Sequence, residues 1–435
     1  MKQFLFFMLC FLPGYLSAQS YTSYFTGNTA DTITNPKGGI CLMGGATEDD
    51  NAMKWFLQQA NGGDILVLRT SGSNGYNAYL YSQLGIPVHS VETIVCNNAT
   101  ASSDAYVLQK IQQAEGIWFA GGDQWTYVSY WRNTAVDSLI NLGIQQRNIV
   151  VGGTSAGMAI QGKYYFSAQN GTVTSTAALA NPYNSLVTVD STTFIKNNFL
   201  TETITDTHFD NPDRKGRLLT FMARMWMDYG VEGRAIACDE YTAVCVDTNG
   251  LARVYGDFPA NDDNAYFIQT NCELVNGTPE ICTSGLPLTW NHSGAAVKVY
   301  RVKGTATGSN TFQLNNWLVG SGGSWLQWSA NTGNFVETTS SSINCSPLAM
   351  TAPAVETRIK IYPNPASQQV AIDFLEQKHV VEINLLDGTG RTIQSLKQQD
   401  VQKVVLNTSQ IIPGIYFIKV RIGMERVHYQ KLEIN

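Results

Sequence analysis

Charge is scarce in this 435-residue chain: Asp, Glu, Lys and Arg together make up 14 % of it, and the formal net charge is −6. Without a positive excess there is no electrostatic reason to bind nucleic acid or an anionic membrane, whereas a cationic substrate is mildly favoured. Metal-site spacing is missing as well. No C-x-x-C and no Cys/His cluster has the pattern of a zinc site, so neither a metal nor another cofactor is expected. Beyond residue 18 no apolar run approaches the ~18 residues that a membrane span needs, so no transmembrane segment is expected. Histidine is rare too, and only His89, His208 and His292 precede the stretch near residue 350. Any chemistry that needs an imidazole there must draw on those three.

Apolar and aromatic residues are present in the proportions of a folded globular protein, 44 % and 11 %, well clear of the disordered class. The length predicts two or more domains. Lys2, the apolar run Phe4 to Leu16 and the small residues Ser17 and Ala18 have the layout of a secretory signal peptide over residues 1–18. Export is the expectation that follows. Seven cysteines remain after residue 18, and an odd number leaves at least one unpaired. Cys272 and Cys282 bracket a loop containing Gly and Pro and are the expected disulfide.

From Gly38 onward short apolar strands alternate with helical stretches. Ile40 to Met43, Ile65 to Leu68, Val91 to Val95, Gly116 to Ala120 and Ile149 to Val151 read as strands. Helical segments lie between them, with Ala52, Trp55, Phe56 and Ala60 at helical spacing in the first. Such alternation predicts an α/β fold, a doubly wound, mostly parallel sheet with helices on both faces. In that architecture sites form at the carboxyl ends of the strands. Beyond Leu218 the chain turns strand-rich. Trp317, Trp325 and Trp328 stand in a Gly/Ser/Asn/Thr-rich segment over 300–345 and read as buried residues of a β-meander closing this domain. The alternative is an aromatic platform that binds a polymer. Residues 346–357 read as a linker, and 358–435 as a small all-β sandwich.

Gly153-Thr154-Ser155-Ala156-Gly157 follows the strand Ile149-Val150-Val151 and precedes a helix start at Met158. A G-x-S-x-G turn between strand and helix exposes a serine hydroxyl above the sheet; a capping serine is the plainer alternative. A serine needs a base, usually a histidine held by a carboxylate. His208 ends a β-prone run in Thr205-Asp206-Thr207-His208-Phe209, while His89 and His292 lie in surface-like contexts. Asp239 and Glu240, after the apolar strand Ala235-Ile236-Ala237-Cys238, are the acid candidates. The order Ser, His, acid departs from the Ser, acid, His order of α/β-hydrolases.

Five stretches in this order resemble the cyanophycinase and dipeptidase E-like serine peptidases, whose fold is that of class I glutamine amidotransferases. They are Gly38-Gly39-Ile40-Cys41-Leu42-Met43-Gly44-Gly45, Phe119-Ala120-Gly121-Gly122-Asp123-Gln124, Gly152 to Gly157, Asp206-Thr207-His208-Phe209 and Asp239-Glu240-Tyr241-Thr242-Ala243. The resemblance runs from Gly38 to about Lys303, within a catalytic domain expected over 19–345. It implies Ser155 as nucleophile, His208 as general base, Glu240 as orienting acid, and the amides of Gly122 and Ala156 as oxyanion hole. It also implies that Asp123, Gln124, Asp206, Arg214 and Arg217 line a pocket for cyanophycin or a related aspartyl peptide. Thr207 and Pro212 depart from the family, which has Gln and Arg in those places. A second resemblance lies in Ile361-Tyr362-Pro363-Asn364-Pro365-Ala366 and Ile412-Pro413-Gly414-Ile415-Tyr416, similar to the motifs of the type IX secretion sorting domain. It implies that residues 358–435 engage that secretion machinery and that the protein reaches the surface or exterior of a Gram-negative cell.

Overall fold

A computed structural model describes residues 19–191, 194–345, 359–387, 391–422 and 426–435. The expected signal peptide (1–18) and linker (346–357) lie outside the described residues. The chain divides into two compact units, Met1–Cys345 and Ser346–Asn435.

In the first unit the strands β1 (Tyr21–Gly27), β2 (Gly39–Met43), β3 (Asp64–Arg69), β4 (Ser90–Cys96), β5 (Gly116–Phe119) and β6 (Val150–Thr154) begin a ten-stranded sheet. Its centre, in the order β4-β3-β5-β6-β2, is parallel. The strands are short because both faces are covered, so only apolar residues are kept between turns. Ile65, Val67, Val91 and Trp118 point to one face, under the helix Asp50–Gln59. Leu66, Leu68, Ile117 and Phe119 point to the other, against the helices Ala105–Gln113 and Ala135–Leu142. The helix Asp50–Gln59 starts where Asp49 accepts the Ala52 N–H at 2.8 Å, a cap of about 1 kcal/mol. The doubly wound layer expected from the alternation is therefore present.

The rest of the unit departs from a simple closing meander. β7 (Tyr165–Phe166) and β8 (Val189–Asp190) form a small ribbon. β9 (Thr203–Asp206), β10 (Arg234–Cys238), β11 (Ala243–Val246), β12 (Leu251–Tyr255), β13 (Asn264–Thr270), β14 (Val297–Lys303), β15 (Asn310–Gln313), β16 (Gly320–Ser321), β17 (Gly323–Asn331) and β18 (Asn334–Thr339) divide between two sheets. β11, β12, β15 and β16 extend the first sheet beyond β2 as antiparallel strands, while a second sheet runs β18-β17-β14-β13-β10-β9. One face of the second sheet packs on the first through Ile40, Leu42, Ile236, Phe267 and Phe312. Its other face packs on the helix Lys215–Tyr229 through Ile204, Leu218, Met222 and Ile268. The sequence hides this split because successive pairs of strands in one run feed different sheets in turn.

Trp317 and Trp328 are fully buried and Trp325 packs partly buried against Tyr300 and Phe312, so these tryptophans are core and form no platform. The disulfide is Cys272–Cys345, not the expected Cys272–Cys282. The chain returns after β18, where the Asn344 N–H reaches Glu273 Oε1 at 2.8 Å, and this brings Cys345 to Cys272. Cys282 is instead buried in the core beside Leu288 and Trp290.

The second unit is a five-stranded sheet of β19 (Ile359–Tyr362), β20 (Gln369–Leu386), β21 (Thr392–Asn407), β22 (Gly414–Ile422) and β23 (Arg426–Ile434). Six or seven short strands are expected from the turns, but β20 runs on through a register shift between Asp373 and Lys378. Val370, Ile372, Ile383, Ile418, Val420 and Leu432 fill its core. Its two motifs hold the chain in place. Asn364 bonds the Lys431 carbonyl and the Glu433 N–H, and the Tyr416 hydroxyl donates to the Ile412 carbonyl at 2.7 Å.

Cys272–Cys345 closes a sequence separation of 73 residues, which in the chain-entropy account is worth roughly 4 kcal/mol. Replacing both cysteines by Ser should lower Tm by on the order of 10 °C in differential scanning calorimetry. An unchanged Tm would show the cross-link to be thermodynamically silent.

Candidate active site

Ser155 sits between β6 and the short helix Ala156–Ala159 with φ +51° and ψ −115°, a conformation that costs a non-glycine residue energy. The surroundings enforce it. A Cβ on Gly157 would lie 2.0 Å from the Phe119 carbonyl oxygen, so the turn closes onto β5 only with glycine there. The hydroxyl of Ser155 is 2.8 Å from His208 Nε2, and His208 Nδ1 is 2.6 Å from Glu240 Oε1. His208 and Glu240 follow β9 and β10, which are parallel neighbours. The three residues, far apart in sequence, thus meet where strand ends from both sheets converge.

That convergence is fixed by one turn at the end of β2. The Met43 carbonyl accepts the Ser155 N–H at 3.1 Å, the Gly44 carbonyl accepts the His208 N–H at 2.8 Å, and the Gly45 carbonyl accepts the Tyr241 N–H at 3.1 Å. Three successive carbonyls therefore bind the loops that carry serine, histidine and acid. Gly45 has φ +125°, and a Cβ there would meet the His208 ring at 2.4 Å.

Glu240 is also held from the His208 side. Its N–H donates to Asp210 Oδ1 at 2.9 Å, and Asn211 Nδ2 donates to Oε2 at 3.3 Å. The bond to His208, with help from Asn211, holds the Glu240 carboxyl below its ordinary range against a partial desolvation. Asp239, the other candidate, is buried and faces away, accepting Asn264 N and Nδ2 at 3.1 and 2.8 Å. Burial pushes it up to about 7.

The Gly121-Gly122 loop adjoins the serine: a Cβ on Gly121 would be 3.7 Å from Ser155 Cβ. Ala156 opens its helix, where N–H groups have no intrahelical acceptor. The loop is braced by the buried Tyr127, whose hydroxyl donates to the carbonyls of Ala120 at 2.9 Å and Gly121 at 3.1 Å. Neither this brace nor the set of bonds made by the Met43–Gly45 turn is visible in the sequence, because the partners are backbone atoms.

The expected pocket residues separate into two groups. Arg214 is half-buried near Asp206, Glu240 and Asp210, and burial together with the Arg217 charge lowers its pKa. Its NH1 donates to the Thr207 carbonyl at 2.9 Å, and its buried Nε has no protein partner. Gln124 lies beyond the Gly121-Gly122 loop with Nε2 donating to the Phe166 carbonyl at 2.8 Å. Asp123 is the N-cap of the helix Gln124–Trp131, with Oδ1 accepting Trp125 N and Thr126 N at 2.8 and 3.1 Å.

Asp206 and Arg217, expected to touch substrate, are each 3 % exposed and bond each other through two nitrogens of the guanidinium. The guanidinium also reaches Thr172 and Val173 and stacks near Phe166 and Phe221. Two residues before His208, this pair ties β9 to the helix Lys215–Tyr229. Its charges are turned inward because an unpaired buried charge would be costly.

The Asp239 shift sets a pH dependence. An unfolded Asp titrates near ~3.9, so between about 4 and about 7 the folded state holds a proton that the unfolded state has lost. Stability therefore falls as pH rises through that window, by on the order of 1 kcal/mol per pH unit. Asp239→Asn keeps an acceptor for Asn264 and removes the titration. Its Tm should exceed that of the wild type increasingly from pH 4.5 to 7.5, and parallel curves would show Asp239 to titrate normally.

With this geometry in view, residues 72–250 match the family described as Peptidase family S51, and residues 360–435 match the Secretion system C-terminal sorting domain. The chain is 25 % identical over 228 residues to the cyanophycinase of Synechococcus elongatus, covering 51 % of this chain and 66 % of that protein. With the cyanophycinase of Trichormus variabilis it shares 25 % identity over 177 residues, covering 41 % of this chain and 53 % of that one. The chain thus spans just under two-thirds of the length of these relatives at most. A solved peptidase structure from an acI-B1 Actinobacterium overlaps 64 % of this chain and 98 % of its own, at 13 % identity and a TM-score of 0.41, too low to carry an argument. The chain thus carries a domain over residues 72–250 that matches Peptidase family S51 and, over residues 360–435, a secretion system C-terminal sorting domain, which marks it as a secreted or cell-surface protein.

Proposed function

We propose that the protein hydrolyses cyanophycin or related aspartyl peptides and isopeptides through an acyl-enzyme on Ser155. The observation that carries this reading is the unbroken hydrogen-bonded line Ser155–His208–Glu240. In the first step the Ser155 hydroxyl attacks the scissile carbonyl while His208 Nε2 takes its proton. Glu240 holds the ring through Nδ1 and favours the imidazolium that forms. The amides of Gly122 and Ala156 receive the oxyanion, and being fixed they need no reorganisation as charge develops. His208 returns the proton to the leaving amine. Water then repeats the sequence and releases the acid, restoring Ser155.

Substrate recognition is read from what the cleft still offers. Arg214, half-buried with NH1 on the Thr207 carbonyl, suits a substrate carboxylate through its guanidinium, and Gln124 and Asp123 follow the Gly121-Gly122 loop beside Ser155. Asp206 and Arg217 act in this reading by holding the His208 loop. Cyanophycin carries both carboxylates and guanidinium groups, and the relatives named cyanophycinase support it as substrate. A second reading, another acidic peptide, is favoured by Thr207, which is buried, and by Pro212. We further propose residues 1–18 as the leader, 19–345 as the catalytic domain and 358–435 as the part presented to type IX secretion machinery, joined by 346–357.

The purified exported protein, incubated with cyanophycin and followed by mass spectrometry, should release β-aspartyl-arginine, and the Ser155→Ala protein should release none. Cleavage of other aspartyl peptides without cyanophycin turnover would select the second reading, and turnover by Ser155→Ala would refute the nucleophile. Tyr127→Phe removes both bonds to the Gly121-Gly122 loop. It should lower kcat by roughly 10-fold to 100-fold with KM little changed, since oxyanion donors act mainly in the transition state; a pure KM effect would refute that role.

A further inference from the structure

Cys41 in β2 and Cys245 in β11 are set directly opposite one another by the antiparallel pairing of these strands. Their sulfurs are 3.5 Å apart, and both side chains are fully buried. Side-chain alternation places both on the face under the helix Asp50–Gln59, with Met43 and Ala243. Cys238 belongs to the core on the other face. Directly opposed residues on antiparallel strands have Cα atoms ~4.5 or ~5.5 Å apart, within the ~4.4–6.8 Å that a disulfide spans. Bringing the sulfurs to bonding distance therefore takes rotation about the Cα–Cβ bonds, with the strand pairing intact. The neighbouring contact, from Cys245 Sγ to the Ala52 carbonyl at 4.0 Å, is too weak to oppose it.

We propose that Cys41 and Cys245 are an oxidation site and are joined as a second disulfide in the exported protein. This rests on the secreted or surface location marked by the sorting domain, and Cys272–Cys345 shows a chain already built with such a bond. Disulfides persist in oxidising compartments. The oxidant is of the disulfide class, a protein or small-molecule disulfide. The thiolate of one cysteine attacks it, forming a mixed disulfide and releasing one thiol. The thiolate of the second cysteine then attacks the sulfur of the first and displaces the other half of the oxidant. Two protein thiols become one disulfide, and the oxidant leaves as two thiols carrying the two protons. Burial raises the Cys245 thiol well above its ordinary range, so exchange takes place during folding, before the helix Asp50–Gln59 covers the pair.

The bond would fasten the strand that ends in the Met43–Gly45 turn to the strand that follows Glu240-Tyr241-Thr242. The hydrogen bonds of that turn to the serine, histidine and acid loops begin at Met43, two residues beyond Cys41 on the same strand.

The test uses the full chain collected after export, denatured with iodoacetamide and no reductant, digested and read by mass spectrometry. The expected result is a Cys41–Cys245 linked peptide beside Cys272–Cys345, with Cys96, Cys238 and Cys282 alkylated. Alkylation of both Cys41 and Cys245, or a link from either to Cys238, in protein with Cys272–Cys345 joined would overturn the proposal while leaving the export reading standing. Alkylation at Cys272 and Cys345 as well would overturn the oxidising export reading together with it. The same chain made in a reducing cytosol should yield all of these cysteines alkylated, and a Cys41–Cys245 link there would contradict the dependence on export.

Discussion

The short turn Met43-Gly44-Gly45 is the constraint on which the rest of the site depends. Its three carbonyls accept N–H groups from the loops of Ser155, His208 and Glu240, which come from two different sheets. A triad needs its atoms placed to within a fraction of an ångström, and loops alone are too soft to provide that. Here the loops are anchored to the end of a central strand that is packed on both faces, by Cys41 and Met43 on one side and Ile40 and Leu42 on the other. The glycine at position 45 follows from the same geometry, since the His208 ring occupies the space a side chain would fill.

Around that anchor the polar groups divide by burial. Fully buried charges are matched to each other, as Asp206 is to Arg217, or face hydrogen-bond donors in a low-dielectric setting that favours the neutral form, as Asp239 does with Asn264. Groups nearer the surface are less tightly matched: Glu240 stays ionised through His208 and Asn211, and Arg214, half-buried, gives NH1 to the Thr207 carbonyl. Whether a given charged residue braces the site or meets a ligand is thus decided by how deep its head group sits, and motif positions carry no information about depth.

This division also explains what the sequence did and did not reveal. Ser155 was legible because a strained strand-to-helix turn demands small residues at fixed spacing, whereas His208, one of three candidates at the end of a β-prone run, was singled out by the family resemblance of Asp206-Thr207-His208-Phe209. The parallel layer was legible because doubly covered strands must be short and apolar. The brace from Tyr127 was not, since its partners are backbone carbonyls. Inward-facing Asp206 and Arg217 look identical in sequence to exposed ones. Cys345 pairs with Cys272 through the return of a long meander, and no local spacing encodes such a return. The second unit shows the same pattern: its motifs mark the domain, whereas the length of its second strand depends on a register shift that turn residues do not announce.

The central claim is that Ser155 is a nucleophile activated by His208. The most direct measurement is labelling of the folded protein with a serine-directed fluorophosphonate, followed by peptide mapping. The account predicts one adduct, on Ser155, formed quickly in the wild type and lost when His208 is replaced by Ala in a protein that still melts cooperatively. Absence of any adduct on the wild type, or labelling of Ser155 that survives loss of His208 at an unchanged rate, would contradict it.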